Sequence, residues 1–491
     1  MNRVIRAGGP TAATATTRLS PLDALFGSGK VIDATFFFPE RLDIDALAAS
    51  LRALLRRYPC FGGRVGRSPW RARGGGLGRG AGSPFAGWHV AGDGGVPLCE
   101  RHELALRWDE AAAVPDCGAR FLHEALAAPA AARDVWAGRA APMGVSVTHF
   151  RGGGGSALGV SMSHGLVDAH GFYATVREWA RLHAALGGGS SSRLGGDDLG
   201  DPPPLITSRD CIDEALLRLY DDDAVDNANA NANADDGAKA VDLSTWTGAL
   251  LWAFVRRTAA RGLGARRRRA VVRLSRDELA AMKAACSEGA FKATTNEALC
   301  SLVGGAATKL LGLGGDGPGV RWGAAANARG RVACVPDAFV GNAVHQLEAF
   351  GLPAPHAAGP TPAAFCKRLR CDVLDPDPAA PVDFAHAWAA FVRDLGRGRL
   401  RQPGADAAQR QQPHILSNFQ ARFPALDADF GAGPCARVVP GVGDTLHFAP
   451  GPGGGADVFL NLHGLVPGGG GGDDWIERCE SDEFRRELFP S

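Results

Sequence analysis

His164 and Asp168 are separated by three residues in the stretch His164-Gly-Leu-Val-Asp168, at the end of an apolar run. Ala157-Leu-Gly-Val-Ser-Met-Ser163 reads as a buried strand, and Asp168 opens a segment with Phe172, Val176 and Trp179 at helical spacing. The imidazole is therefore expected on a strand-to-helix turn. The unperturbed pKa of histidine, about 6.5, lets it accept a proton near neutral pH, so His164 is a candidate general base. The plainer reading is a structural histidine satisfied by its neighbours. Ser161 and Ser163 lie within the strand and no G-x-S-x-G elbow is present, so the sequence offers no serine nucleophile.

A second stretch lies far downstream: Leu416-Ser-Asn-Phe-Gln-Ala-Arg-Phe-Pro424, followed by Asp429-Phe-Gly-Ala-Gly433 and Pro434. With His164 and Asp168 it resembles the BAHD acyltransferases, whose signatures are His-x-x-x-Asp in mid-chain and Asp-Phe-Gly-Trp-Gly near the C-terminus. Ser20-Pro-Leu-Asp23 is similar to the family's Leu-Ser-x-Leu-Asp, and Tyr58-Pro-Cys-Phe-Gly-Gly-Arg64 to its Phe-Pro-x-x-x-Gly-Arg. Asn327-Ala-Arg-Gly-Arg331 and Gly341-Asn342 match its Asn-x-Arg-x-Arg and later Gly-Asn. The resemblance spans nearly the whole chain. It implies two α/β domains of the chloramphenicol-acetyltransferase type, with mixed sheets, joined by a long crossover and sharing an active site at their interface. It also implies transfer of an acyl group from a coenzyme A thioester to a hydroxyl or amine of a small-molecule acceptor. Acyl-coenzyme A is then a co-substrate, and no permanently bound cofactor is expected.

The same resemblance assigns roles. His164 would take the acceptor's proton as it attacks the thioester carbonyl, with no acyl-enzyme. Ser417, in Ser417-Asn-Phe419 at the family's Thr-Ser-Trp, would offer a hydroxyl to the oxyanion; Phe419 has no N–H to add. Asp168 would be structural, paired with Arg329 in preference to Arg331. Asp429, Gly431 and Gly433 would form a structural turn near the coenzyme, with Ala432 where tryptophan is usual. Ser275, Arg276 and Lys283 are candidate phosphate contacts, and His170 either lines the acceptor pocket or is an exposed helix-start residue. Two other classes stay open. Condensation domains of peptide synthetases use carrier-tethered thioesters and carry His-His-x-x-x-Asp-Gly, whereas here Ser163 precedes His164 and Ala169 follows Asp168. A homologue that binds acyl ligands without turnover is motivated by Phe419 and Ala432.

These residues need elements to hold them. Val31 to Phe38 reads as a strand, and Asp43 caps a helix with Ile44, Leu47, Leu51, Leu54 and Tyr58 on one face. Gly144 to Phe150 and Ala157 to Ser163 read as strands joined by a glycine hairpin. Ser275-Arg-Asp-Glu278 and Thr294-Thr-Asn-Glu297 are capping boxes, and Thr445 to Phe448 and Asp457 to Leu462 alternate like an antiparallel pair. Between Gly187 and Lys239 the composition turns to Gly, Ser, Pro and an Asn-Ala run, with Cys211 to Tyr220 as a possible ordered island. The expected division is an N-terminal domain at 1–186, a low-complexity crossover at 187–240 and a C-terminal domain at 241–491.

With 491 residues the chain is long enough for two cores. A net charge of +1 gives no field for nucleic acid, and no apolar run nears the roughly 20 residues of a membrane span. The 11 cysteines contain no C-x-x-C pair, and no Cys/His cluster has zinc spacing, so no metal is expected. Arg3, Arg6 and Arg18 among Thr and Ala look like a transit peptide in composition. Val4-Ile5 through Asp23 nonetheless fits the family's first strand and loop, so a monomer in the cytoplasm is the expectation.

Overall fold

The structure is a computed structural model. It describes residues 2–8, 15–27, 31–67, 87–113, 121, 129–187, 204–219, 240–242, 269–313, 319–352, 361–370, 384–396, 399–401, 412–441, 445–462, 465 and 474–489. The first half contributes β1 (Asn2–Ile5), α1 (Pro21–Gly27), β2 (Val31–Phe38), α2 (Ile44–Arg57), β3 (Val96–Arg107), β4 (Met143–Arg151), β5 (Ser156–Ser163) and α3 (Ala169–Ala185). After α4 (Asp210–Leu219) come β6 (Ala270–Leu274), α5 (Arg276–Ala285), α6 (Thr295–Leu310), β7 (Val320–Asn327) and β8 (Val344–Leu352). α7 (Phe384–Gly396), β9 (His414–Phe419), β10 (Arg437–Pro440), β11 (Leu446–Pro450) and β12 (Ala456–Leu460) follow.

Two six-stranded mixed sheets dominate, with orders β1-β3-β4-β5-β2-β10 and β6-β12-β11-β9-β7-β8. In the first sheet only β3 and β4 run parallel. In the second, β9 lies parallel to both β7 and β11. Alternation along β2 shows how the first sheet is used. Ala34, Phe36 and Phe38 enter a core with Leu47, Leu51 and Leu54 of α2 and Phe172, Val176 and Trp179 of α3. Phe37, from the opposite face, meets Val271, Val439, Ala449 and Phe459, which joins the two sheets face to face. The second sheet packs its other face on α5 and α6 through Met282, Leu299 and Val303.

Helix starts follow local chemistry. The Asp43 carboxylate accepts from the backbone N–H groups of Asp45 and Ala46, and complete capping boxes open α5 at Ser275 and α6 at Thr294. The tight β4–β5 hairpin turns through Gly152, Gly153 and Gly155, all at positive φ.

The second half of the chain also contributes to the first sheet. The segment 241–491 does not stay with the second sheet: β10 pairs antiparallel with β2, and Ala425, Ala428, Phe430, Ala432, Cys435 and Val438 are buried in the first core. The cause is the edge of β2, which needs a partner for its backbone groups. Within the expected crossover, 204–219 is described and forms α4, whose Ile212, Ala215 and Leu216 pack with Leu22 of α1 and Trp388 of α7. The Asn227-to-Ala234 run and Tyr220 lie outside the described residues. Among the described residues no helix is long and apolar enough to cross a membrane, and no cluster of three His, Cys, Asp or Glu could hold a metal.

Candidate active site

Ser163 ends β5 opposite Val31 of β2, and His164 follows at the turn. The turn closes with Leu166 N–H donating to the Ser163 carbonyl at 2.9 Å, and Asp168 caps α3 by accepting from Gly171 N–H at 2.9 Å. A side chain at Gly171 is excluded, since its Cβ would stand 2.0 Å from the Val340 carbonyl oxygen. The start of α3 is thus pressed against the segment 327–343, which supplies most of the remaining partners.

The Asp168 carboxylate is taken up by Arg329 and backbone N–H groups. Arg329 Nη1 donates to its Oδ2 at 2.7 Å and Nη2 to its Oδ1 at 3.1 Å, and Ala343 N–H adds a bond at 3.0 Å to Oδ2. The remaining Arg329 donors go to the carbonyls of Phe339 at 2.7 Å and Gly341 at 2.6 Å and to Asn327 Oδ1 at 3.0 Å. Burial pushes the Asp168 carboxyl up, but the charge and hydrogen bonds of Arg329 and the two backbone N–H groups outweigh it, and the pKa falls below the ordinary value. Arg331, the other candidate, is exposed and lies over the Phe384 ring.

His164 is held instead by Asn342. Its Nδ1 is 3.0 Å from Asn342 Oδ1, and its ring stacks on Phe26 with centroids 4.6 Å apart. The Asn342 amide nitrogen donates to Asp23 Oδ1 at 2.9 Å and to the His164 carbonyl at 2.7 Å. That assignment makes Oδ1 the acceptor, so Nδ1 carries the imidazole proton and Nε2 carries the lone pair. Asp23 is anchored in turn by Arg209 Nε at 2.8 Å, a pair fully buried on both sides, and Arg209 also donates to the Leu166 carbonyl at 2.8 Å. Asp23 and Asn342 lie in Ser20-Pro-Leu-Asp23 and Gly341-Asn342, motifs that by themselves assign neither residue a role. The short loop from Ser20 to Asp23 and the Gly-Asn pair are the signals that located them.

His164 lines a cavity of about 130 Å³ between the two sheets, with Phe26, Asp33, Asn418, Gln420 and His447 among its walls. On β9 the alternation separates the expected oxyanion residues. Ile415 and Phe419 pack toward the second core, and Leu416, Asn418 and Gln420 line the cavity. Ser417 borders the cavity as well, but its hydroxyl donates to the Gly323 carbonyl at 3.1 Å and accepts from Trp322 Nε1 at 3.1 Å. Phe419 faces Phe448, 6.2 Å away between centroids. Asp33 was not anticipated; the signal for it was a lone acid in an otherwise apolar strand.

Other expected site residues lie elsewhere. Gly431 N–H donates to Asp429 Oδ1 at 2.8 Å, and Gly431 and Gly433 have φ of 77° and 78°, which makes a tight turn. Phe430 of that turn packs on Trp179 and His183 in the distal half of α3, so Asp429, Gly431 and Gly433 do not line the cavity. Ser275 caps α5, Arg276 is exposed and Lys283 half-buried on that helix, and none of the three lines the cavity. His170 is half-buried, with Nε2 2.9 Å from the Asp337 carbonyl; burial and Arg329 lower its pKa.

No protein-family profile and no curated protein matches the chain. Solved structures do. TRI101 of F. graminearum, complexed with coenzyme A and T-2 mycotoxin, is 14% identical over 96% of this chain and 98% of its own, with a TM-score of 0.60. Vinorine synthase is 16% identical over 94% and 93%, with a TM-score of 0.55. The first condensation domain of the CDA synthetase is 14% identical over 97% and 96%, with a TM-score of 0.52. At these identities the likeness establishes the fold, the two-domain α/β architecture of the chloramphenicol-acetyltransferase type.

Proposed function

We propose that the protein is an acyltransferase that moves an acyl group from a coenzyme A thioester to a hydroxyl or amine of a small-molecule acceptor, with His164 as general base. The observation that carries this reading is the hydrogen bond between His164 Nδ1 and Asn342 Oδ1, which presents Nε2 as the basic nitrogen in a cavity between the sheets. The acceptor's O–H or N–H gives its proton to Nε2 as the new bond forms at the thioester carbonyl. The C–S bond then breaks, and the thiolate leaves with that proton as coenzyme A. A positioned base contributes about 10²–10⁴-fold, and holding both substrates in one cavity supplies much of the rest. Asn418 is the side chain we assign to the oxyanion: it lines the cavity, its Oδ1 accepts from Gln420 Nε2 at 3.3 Å, and its amide nitrogen is the donor of the pair of groups it carries. TRI101 was solved with coenzyme A bound, which supports the choice of donor.

The structural likeness to a condensation domain keeps a carrier-tethered thioester as the second reading. Ser163 in place of a second histidine favours free coenzyme A. The test is release of coenzyme A thiol from a panel of acyl-coenzyme A donors with pooled alcohols and amines, using His164→Ala as control. Acceptor-dependent release that the substitution abolishes supports the reading. Release only from carrier-bound thioesters would move the enzyme to the second class, and binding without release would make it a ligand-binding homologue.

A further inference from the structure

Asp33 stands on the cavity-facing side of β2, where the strand needs no charge for its fold. Its neighbours Ile32 and Ala34 face the first core, and Phe37, on its own face, joins the two sheets. The side chain is 8% exposed, lines the same cavity as His164, and its Oδ1 has no hydrogen-bond partner. Ser161, its cross-strand partner on β5, has a buried hydroxyl that is likewise without a partner. Arg269 is the nearby cation, and its charge acts on the Asp33 carboxyl. Its Nη2 donates to the Pro440 carbonyl at 2.7 Å, and the guanidinium lies 4.8 Å from the Phe459 ring centroid. A buried carboxylate oxygen without a hydrogen-bond partner is unfavourable unless a bound group supplies one.

We propose that the acceptor carries a positively charged nitrogen, separate from the group that is acylated, and that Asp33 seats this cation. The proposal rests on the acyltransfer reading and names the acceptor class it left open. Burial pushes the Asp33 carboxyl up to about 7, against the pull of Arg269 and of its own backbone N–H. A cation bound beside it would hold it ionised. The other titratable groups on this cavity are His164 and Asp168, from the β5–α3 turn, and His447 of β11; Asp168 is already paired with Arg329. Spacing fits a short acceptor. Val31 pairs with Ser163 beside His164, and Asp33 is two residues further along β2, about 7 Å at strand rise. During transfer the cation is unchanged: the attacked hydroxyl or amine loses its proton to His164, and only the thioester C–S bond breaks.

The test uses acetyl-coenzyme A with two alcohols of matched shape, 3-(dimethylamino)propan-1-ol and 4-methylpentan-1-ol, on the parent and on Asp33→Asn. The parent should favour the amino alcohol by tenfold or more in kcat/KM. Asp33→Asn should lose that preference, through KM for the amino alcohol more than through kcat, and Asp33→Ser should repeat the loss. KM for acetyl-coenzyme A reports that each variant is folded. Equal loss with both alcohols, or a parent without preference, overturns the cation site while the acyltransfer reading stands. Calorimetric titration of the amino alcohol separates the two ideas. Heat that depends on Asp33, with no thiol released from any acyl donor, keeps the cation site and removes the acyltransfer reading. Absence of heat in the parent overturns the site.

Discussion

At His164 the tautomer is imposed from behind, by an amide whose nitrogen is already committed to Asp23 and to the His164 carbonyl. Asn342→Ala removes that constraint and should lower turnover by about 10²-fold, with acyl-coenzyme A binding retained as read by KM or titration. The neighbouring strand yields a pair of opposite outcomes. Ser417→Ala strands the Trp322 N–H in the second core, so it should cost about 1–3 kcal/mol in a denaturation series. Asn418→Ala should cut kcat by about 10²–10³-fold, with little change in stability. A stable, slow Ser417→Ala would return the oxyanion role to the serine. Phe419→Trp points toward the core, so the added N–H should not raise turnover, and overpacking should cost about 1–3 kcal/mol. Asp33 adds a pH signature. Its folded pKa of about 7 exceeds the ordinary 3.8, so between these values the folded chain keeps a proton that the unfolded chain has lost. Stability therefore falls as pH rises through that window and levels off above it. Asp33→Asn should melt with the parent at pH 4 and above it at pH 8, the gap being on the order of 4 kcal/mol.

The turn between β5 and α3 is the element that aims the base, and its stability depends on one buried pair. Asp168→Ala leaves Arg329 without its carboxylate and should cost about 3–5 kcal/mol at neutral pH, lowering both the melting temperature and turnover. The Asp168 pKa is depressed by folding, so its contribution is present above its unfolded pKa and is lost as pH falls through the folded one. The difference between parent and Asp168→Ala should accordingly shrink on acidification. A variant that melts like the parent but turns over slowly would make Asp168 catalytic. Much at this scale was legible in the sequence, because it is encoded locally: the β2 strand, the Asp43 cap, both capping boxes, the β4–β5 hairpin and the helical spacing after Asp168. The Asp168–Arg329 pair followed from the resemblance. What could not be read was which way a side chain turns. Ser417 and Asn418 are adjacent, and only the register of β9 between β7 and β11 decides which of them faces the cavity. Asp33 escaped for the same reason: a carboxylate on a buried strand acquires its meaning from the second sheet packed opposite.

Across the whole molecule the two sheets are not independent bodies joined by a tether. β10 closes the edge of β2 in the first sheet, and Arg437 on β10 donates from Nε to Asp457 on β12 at 3.2 Å, with both side chains buried. Phe37, Val271, Val439, Ala449 and Phe459 form one apolar cluster that joins the two sheets. A chain that ends at 240 therefore lacks more than half of the site. It also exposes the hydrogen-bonding edge of β2 and the part of the first core that Phe430, Ala432 and Val438 cover. Expressed alone, residues 1–240 should aggregate or show no cooperative melt, whereas coexpression with 241–491 should return a soluble complex that melts in one transition. The physical reason is that the strand completing the first sheet is synthesised nearly 200 residues after the crossover region ends, so the first core cannot close until the second half is made. If 1–240 alone melts cooperatively at the temperature of the full chain, β10 is dispensable and the first domain is autonomous. The expected outcome is the reverse, with Arg437→Ala in the full chain destabilising both sheets together, by about 3–5 kcal/mol, because Asp457 would be left buried without its partner.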